Sequence, residues 1–206
     1  MKDNYIKTGR TNQKIETRSN ILMNAQYFLN NGLEFNLEDI AKRSGISRAT
    51  IYRYFSNVDI LAAEAGLDFN TKSSETICEN LKGETVEDKI LEIQDYYNTL
   101  AIDHEKLFRK YISAILDSST PTPKRGARRK KTLQLVLEKT NFSKKEKKDL
   151  SNLLTILMGI EALIVTKDVC GLNNKESTTL MKWGMEMLLK GFFGSKKDQE
   201  LVANKD

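Results

Sequence analysis

Proline, histidine and cysteine are all scarce in this chain, and each shortage removes a class of protein. Two prolines stand among 206 residues, Pro121 and Pro123. A chain so poor in helix breakers, and rich in Lys, Glu, Leu, Ile and Asn, favours an all-α fold. Cys78 and Cys170 lie far apart and without metal-ligand spacing, so the sequence indicates neither a disulfide scaffold nor a cysteine-bound metal. Two reduced thiols in a cytosolic protein are the expectation. The one histidine, His104, sits between Asp103 and Glu105 and has no second histidine or nearby cysteine to complete a zinc set. The Gly-x-Ser-x-Gly, Walker and Gly-x-Gly-x-x-Gly patterns are absent, so neither an enzyme nor a bound cofactor is expected. A long apolar run is also missing. The longest, Leu153 to Val165, is interrupted by Thr155, Gly159 and Glu161 and is too short to span a bilayer. No apolar segment follows the polar start Met1-Lys2-Asp3-Asn4, which excludes a signal peptide. The expectation is a soluble, cytoplasmic protein with no membrane partner.

What is present is sharpest between Leu37 and Leu61. Leu37, Ile40 and Ala41 fall at i, i+3, i+4 and give a short helix one narrow apolar face. Gly45 sits where a tight helix–helix turn wants positive φ. Ser47 is placed to cap a second helix, whose buried stripe is Ile51 and Phe55. Two helices joined by so short a turn form a helix-turn-helix, over about residues 37–56, whose second helix enters the DNA major groove. At about 100° per residue, Ala49 and Arg53 point away from the buried stripe, with Thr50 and Tyr52 beside them and Arg48 in the first turn. Such a face suits a groove lined with acceptors and thymine methyls, and Ala49 lets the helix sit deep.

The surrounding residues carry a wider pattern: Ile21-Leu22, Ala25, Phe28 and Gly32, then Ile40-Ala41, Gly45-Ile46-Ser47, Thr50-Ile51-Tyr52-Arg53-Tyr54-Phe55 and Leu61. From about Ile15 to Leu61 this resembles the N-terminal signature of the TetR family of bacterial transcriptional regulators. The resemblance implies double-stranded DNA as partner, at a near-palindromic operator, and a homodimer built through the last two long helices. It also implies a body that senses a small-molecule effector, here of unknown identity. Asn36, placed to cap the second helix, corresponds to a position that often touches a phosphate. The candidate DNA-contacting set is Asn36, Ser47, Arg48, Ala49, Thr50, Tyr52, Arg53 and Tyr54, with Lys7 and Arg10 from a basic, disordered arm over about residues 1–11. One position departs from the family. Where it usually has a lysine that meets a phosphate, three residues after the Phe, this chain has Val58.

The expected organisation is a DNA-binding domain over 1–61 and an effector-binding and dimerisation domain over 62–206, with about nine helices in all. The first helix should run from about Asn12 to Asn31, with Ile15, Ile21, Leu22, Ala25, Phe28 and Leu29 inside. A fourth, capped by Ser56 or Asn57, should continue to about Leu81, drawing its apolar contacts from Ile60, Leu61, Ala65, Leu67 and Phe69. Thr85 and Asp103 should cap the next two. Ser118 to Pro123 reads as a loop, and a helix from about Lys124 to Lys139 follows it. Ser143 and Glu146 form a capping box opening a helix to about Cys170, and Asn173 and Glu176 open a last one to about Phe193. The first of these two is apolar on more than one side, so it buries a second face against another chain or within its own.

Two features stay open on sequence alone. The basic cluster Lys124, Arg125 and Arg128 to Lys131 reads either as a solvated helix start or as a contact for an anion such as a phosphate-bearing ligand or DNA. Tyr96, Tyr97, Phe108, Tyr111, Met158, Glu161 and Trp183 are the mixed aromatic and polar types that line effector cavities, although most such residues simply form core. Outside promoter regulation, the alternatives are a chromosome-associated DNA-binding protein and an interaction protein that kept the fold.

Overall fold

The computed structural model describes residues 2–116 and 127–203; the side chains of residues 2–12, 69, 114–115 and 195–203 lie outside the description. Among the described residues there are helices and no strand. In chain order they are α1 (Lys2–Asn30), α2 (Leu37–Ser44), α3 (Arg48–Tyr54), α4 (Val58–Asn70), α5 (Ser74–Glu79) and α6 (Val86–Asp103). Then follow α7 (Glu105–Leu116), α8 (Arg128–Leu137), α9 (Lys144–Ile156), α10 (Ile160–Ile164), a π-helical turn (Val165–Val169) and α11 (Asn174–Ala203). The fold is all-α.

The chain forms two compact units. The first comprises residues 1–71 and 106–125, the second 72–105 and 126–206. The first unit therefore keeps all of α4 and takes α7 as well, where the sequence suggested a division after residue 61. Its core is Ile21, Leu22 and Ala25 from α1, Leu37 and Ile40 from α2, Ile51 and Phe55 around α3, and Ile60, Leu61 and Ala65 from α4. Burying side chains of this size contributes about 1.5–3 kcal/mol each, and Phe55, 1% exposed, closes the end of α3 with its backbone N–H donating to Ile51 O.

In the second unit α6 packs against α8, α10 and α11, and α8 against α5 and α9. Ile90, Ile93, Leu133, Leu137, Leu154, Met158, Leu163 and Met185 are buried there. The capping boxes at Thr85 and Ser143 form as the sequence reads, each hydroxyl accepting from the third helical amide. Asn173 accepts from Glu176 N while Glu176 accepts from Asn173 N.

Several element boundaries differ from the sequence reading. The arm over residues 1–11 is helical from Lys2, continuous with α1. Once Ile21, Leu22 and Ala25 are packed, each further residue toward the N-terminus adds a hydrogen bond without a new nucleus. Ile15 and Leu29, expected inside, are exposed. The helix expected to run on to Leu81 stops at Asn70, because Asn70 Nδ2 donates to Gly66 O and Thr71 Oγ1 to Leu67 O. Ser73 then caps α5 afresh. Asp103 does not cap α7; it is the last residue of α6, and His104 is the C-cap. The helix expected over 144–170 is broken between α9 and α10. By length and composition the segment Lys144–Val169 would pass for a membrane span, yet Leu150, Leu154, Met158, Ile160 and Leu163 are buried in the unit's own core. The loop at Ser118 to Pro123, with Lys124 and Arg125, lies outside the described residues.

Candidate nucleic-acid interface

Local chemistry fixes the turn between α2 and α3. Asn36 Oδ1 accepts from Glu38 N at 2.8 Å and Asp39 N at 3.1 Å, while Asp39 Oδ2 accepts from Asn36 N. This capping box starts α2 at a fixed residue. Gly45 ends it at φ 68°, in the left-handed region where a Cβ would add strain. Ser47 caps α3, its Oγ accepting from Thr50 N at 3.3 Å and donating to Thr50 Oγ1 at 2.9 Å. The two helices are thus held by caps at both starts and one glycine between.

With Ile51 fully buried, α3 turns Arg48, Ala49, Tyr52 and Arg53 to the surface. Arg53 has no ion-pair partner among the described residues. Arg48 differs. Its Nη1 lies 2.7 Å from Glu38 Oε1, both side chains being largely exposed, and its guanidinium stands 5.6 Å from the centre of the Tyr52 ring. An exposed pair of this kind contributes only about 0–1 kcal/mol, so a phosphate or a guanine can compete for Arg48. Tyr54 packs against the core of the unit, and Val58, the first residue of α4, does the same. The side chains of Lys7 and Arg10 lie outside the description.

Several supports of this face were not legible in the sequence. Arg18 on α1 reaches both carboxylate oxygens of Glu64 on α4 and stacks 4.6 Å above the Phe55 ring. Tyr111 on α7 donates to the same carboxylate at 3.4 Å, and Lys110 pairs with Asp59 at 2.7 Å. Arg43 lies 3.3 Å above the Tyr27 ring, tying the end of α2 to α1. Spacing could not reveal these contacts, since Arg18 and Glu64 are 46 residues apart.

The residues singled out for an effector cavity do not share one unit. Phe108 and Tyr111 belong to the first, and Tyr96, Tyr97, Met158, Glu161 and Trp183 to the second. Tyr97 is buried, its hydroxyl 2.9 Å from Thr132 Oγ1, and burial pushes its pKa up to about 12. Tyr96 accepts from Lys72 N. Met158 is fully buried core, whereas Trp183 is 60% exposed. Glu161 pairs with Arg129 at 2.8 Å, and Lys131 with Glu75 at 2.6 Å. Those two cations of the basic cluster are therefore satisfied by neighbouring carboxylates. Among the described residues no group of His, Cys, Asp and Glu is placed to hold a metal.

A capped two-helix turn with one helix buried on Ile51 and open on Arg48 and Arg53 is a helix-turn-helix of the DNA-binding kind. Residues 25–66 match the family model described as bacterial regulatory proteins, tetR family. Over that stretch the chain is similar to the DNA-binding helix-turn-helix of these transcription regulators. No curated protein matches the chain.

Proposed function

We propose that the chain is a homodimeric, cytoplasmic repressor that binds a near-palindromic operator and is released from it by a small-molecule effector. The observation that carries the DNA reading is the exposed face of α3, where Ala49 and Arg53 stand opposite the buried Ile51. Each α3 would enter one major groove, with Arg48, Tyr52 and Arg53 toward base edges and Asn36, Ser47 and Thr50 near the backbone. Lys7 and Arg10 would add phosphate contacts from the N-terminal end of α1. Support for pairing comes from the second unit. Leu153 and Ile156 on α9, Val165 and Val169 on the π-helical turn, and Leu180, Trp183 and Met187 on α11 are all exposed large apolar side chains. Their spacings, i+3 on α9, i+4 on the turn and i+3, i+7 on α11, put each group on one stripe of its element. Two copies meeting through these stripes would exclude them from water. A gel shift on a random duplex pool tests the reading: selection of a short palindrome is expected, and sequence-independent binding would favour a chromosome-associated role instead.

Val58 offers a second test. A lysine at the start of α4 would add one phosphate contact per copy, and each contact changes the slope of log affinity against log salt by about −0.9. Val58→Lys should therefore steepen the slope of a dimer by roughly 2 and tighten binding to all sequences alike. An unchanged slope would mean that the start of α4 does not face DNA.

A further inference from the structure

The helix expected over 144–170 is interrupted at Leu157–Gly159, and the interruption is built rather than frayed. Gly159 has φ 80° and ψ −162°, a conformation essentially restricted to glycine. The backbone groups freed by the break are taken up by side chains from α6 and α8. Gln94, 2% exposed, donates from Nε2 to Leu157 O and to Met181 O, both at 2.8 Å. Asn98, 3% exposed and one turn along α6, accepts from Gly159 N at 2.8 Å. Arg129 on α8 donates to Met158 O and holds Glu161 through its other amino group. Three consecutive residues at the break are thus each held by a different polar side chain, and Gln94 ties the break to α11 as well. A buried polar group without a partner costs about 1–3 kcal/mol, so a clamp this complete specifies one geometry.

In sequence the break lies between two pairs of exposed apolar side chains. Leu153 and Ile156 precede it, Val165 and Val169 follow it, and α11, with Leu180, Trp183 and Met187, is bound to it through Met181 O. A continuous helix would rotate the later residues to another bearing, so the clamp sets the bearing of Val165 and Val169 relative to Leu153 and Ile156. We propose that Gln94, Asn98 and Arg129 are positioning residues for self-association: Gln94 and Asn98 are buried within one copy, yet together with Arg129 they give the pairing face the shape that a second copy of this chain matches. This rests on the reading that the face receives a second copy. That reading explains the apolar stripe; the clamp explains its form.

Sedimentation equilibrium of full-length protein separates the two ideas. Wild type should be a dimer, and a wild-type monomer would overturn both. Asn98→Leu and Gln94→Leu, with helical circular dichroism and a cooperative melt retained, should weaken self-association at least about tenfold. Equal dimerisation by wild type and both leucine variants would overturn the clamp while leaving the pairing face intact. Should a leucine variant fail to fold, hydrogen exchange on wild type decides. The Gly159 amide is already buried in one copy, so a partner cannot protect it merely by covering it. Its exchange should slow on dimerisation by more than that of amides in the middle of α6, and equal slowing would overturn the proposal.

Discussion

Ile156→Asp is expected to abolish the proposed self-association and leave a monomer. Ile156 is 67% exposed, so removing it takes little from the core of its own chain. In a two-fold interface the substitution places two carboxylates in an apolar seam, one from each copy. Burying an unpaired charge costs several kcal/mol, so a loss of at least about 100-fold in self-association follows. Sedimentation velocity with circular dichroism reads the outcome: a folded monomer supports the face, and an undiminished dimer removes it. Leu157 and Leu188, which the sequence alone singled out for this test, are poorer choices because both are half-buried in the structure. A charge there would injure the fold and the interface together. Monomers should also lose most operator affinity, because each half-site is then bound without the linkage that raises the local concentration of the second head.

Arg53→Ala is expected to cost about 1–3 kcal/mol on the preferred operator, roughly 5- to 150-fold, if the side chain forks onto a guanine. Arg53 should respond more strongly than Arg48. Arg48 must first part from Glu38, which makes its net gain on DNA smaller. Gel shifts on a panel of single-base operator variants distinguish the two roles. Loss concentrated at one base pair marks a base contact, while uniform weakening across the panel marks a phosphate contact. No change on any sequence would mean that α3 does not enter the groove.

How much of this was legible in the sequence depended on the range of the interactions. Asn36, Ser47, Thr85 and Ser143 were readable as caps because a cap is a contact within three residues, and all four form. Ile51 and Phe55 were readable because a helix period places them on one side. Contacts set by packing between distant segments were not. The hold of Arg18 on Glu64, and of Arg129 on Glu161, joins elements whose neighbourhood no local pattern records. Gln94 and Asn98 did leave a signal: they stand on the apolar stripe of α6 beside Ile90, Ile93 and Tyr97, where a polar side chain needs a buried partner. The break they hold was hidden because Gly159 sits inside an otherwise helical run, where a single glycine is often tolerated. The ends of α1 and α11 were misplaced for a different reason. Both pass beyond the last core contact, and helix there continues only because nothing local stops it.

The membership of α7 in the first unit bears on how modular this protein is. Cutting after Thr71 would seem to release a complete DNA-binding module, since all of α1 to α4 lies before it. Such a fragment would lack Tyr111 and Lys110, leaving Glu64 with Arg18 alone and Asp59 without its cation. A chimaera made by transplanting residues 1–71 onto a foreign sensor would inherit that bare flank, and its recognition helix would be judged on a platform missing one wall. The unit that can be exchanged is discontinuous: it needs the N-terminal stretch and, resuming at Lys106, the helix α7. Recombination between relatives at a single crossover therefore breaks this module, whereas exchange of both stretches together preserves it.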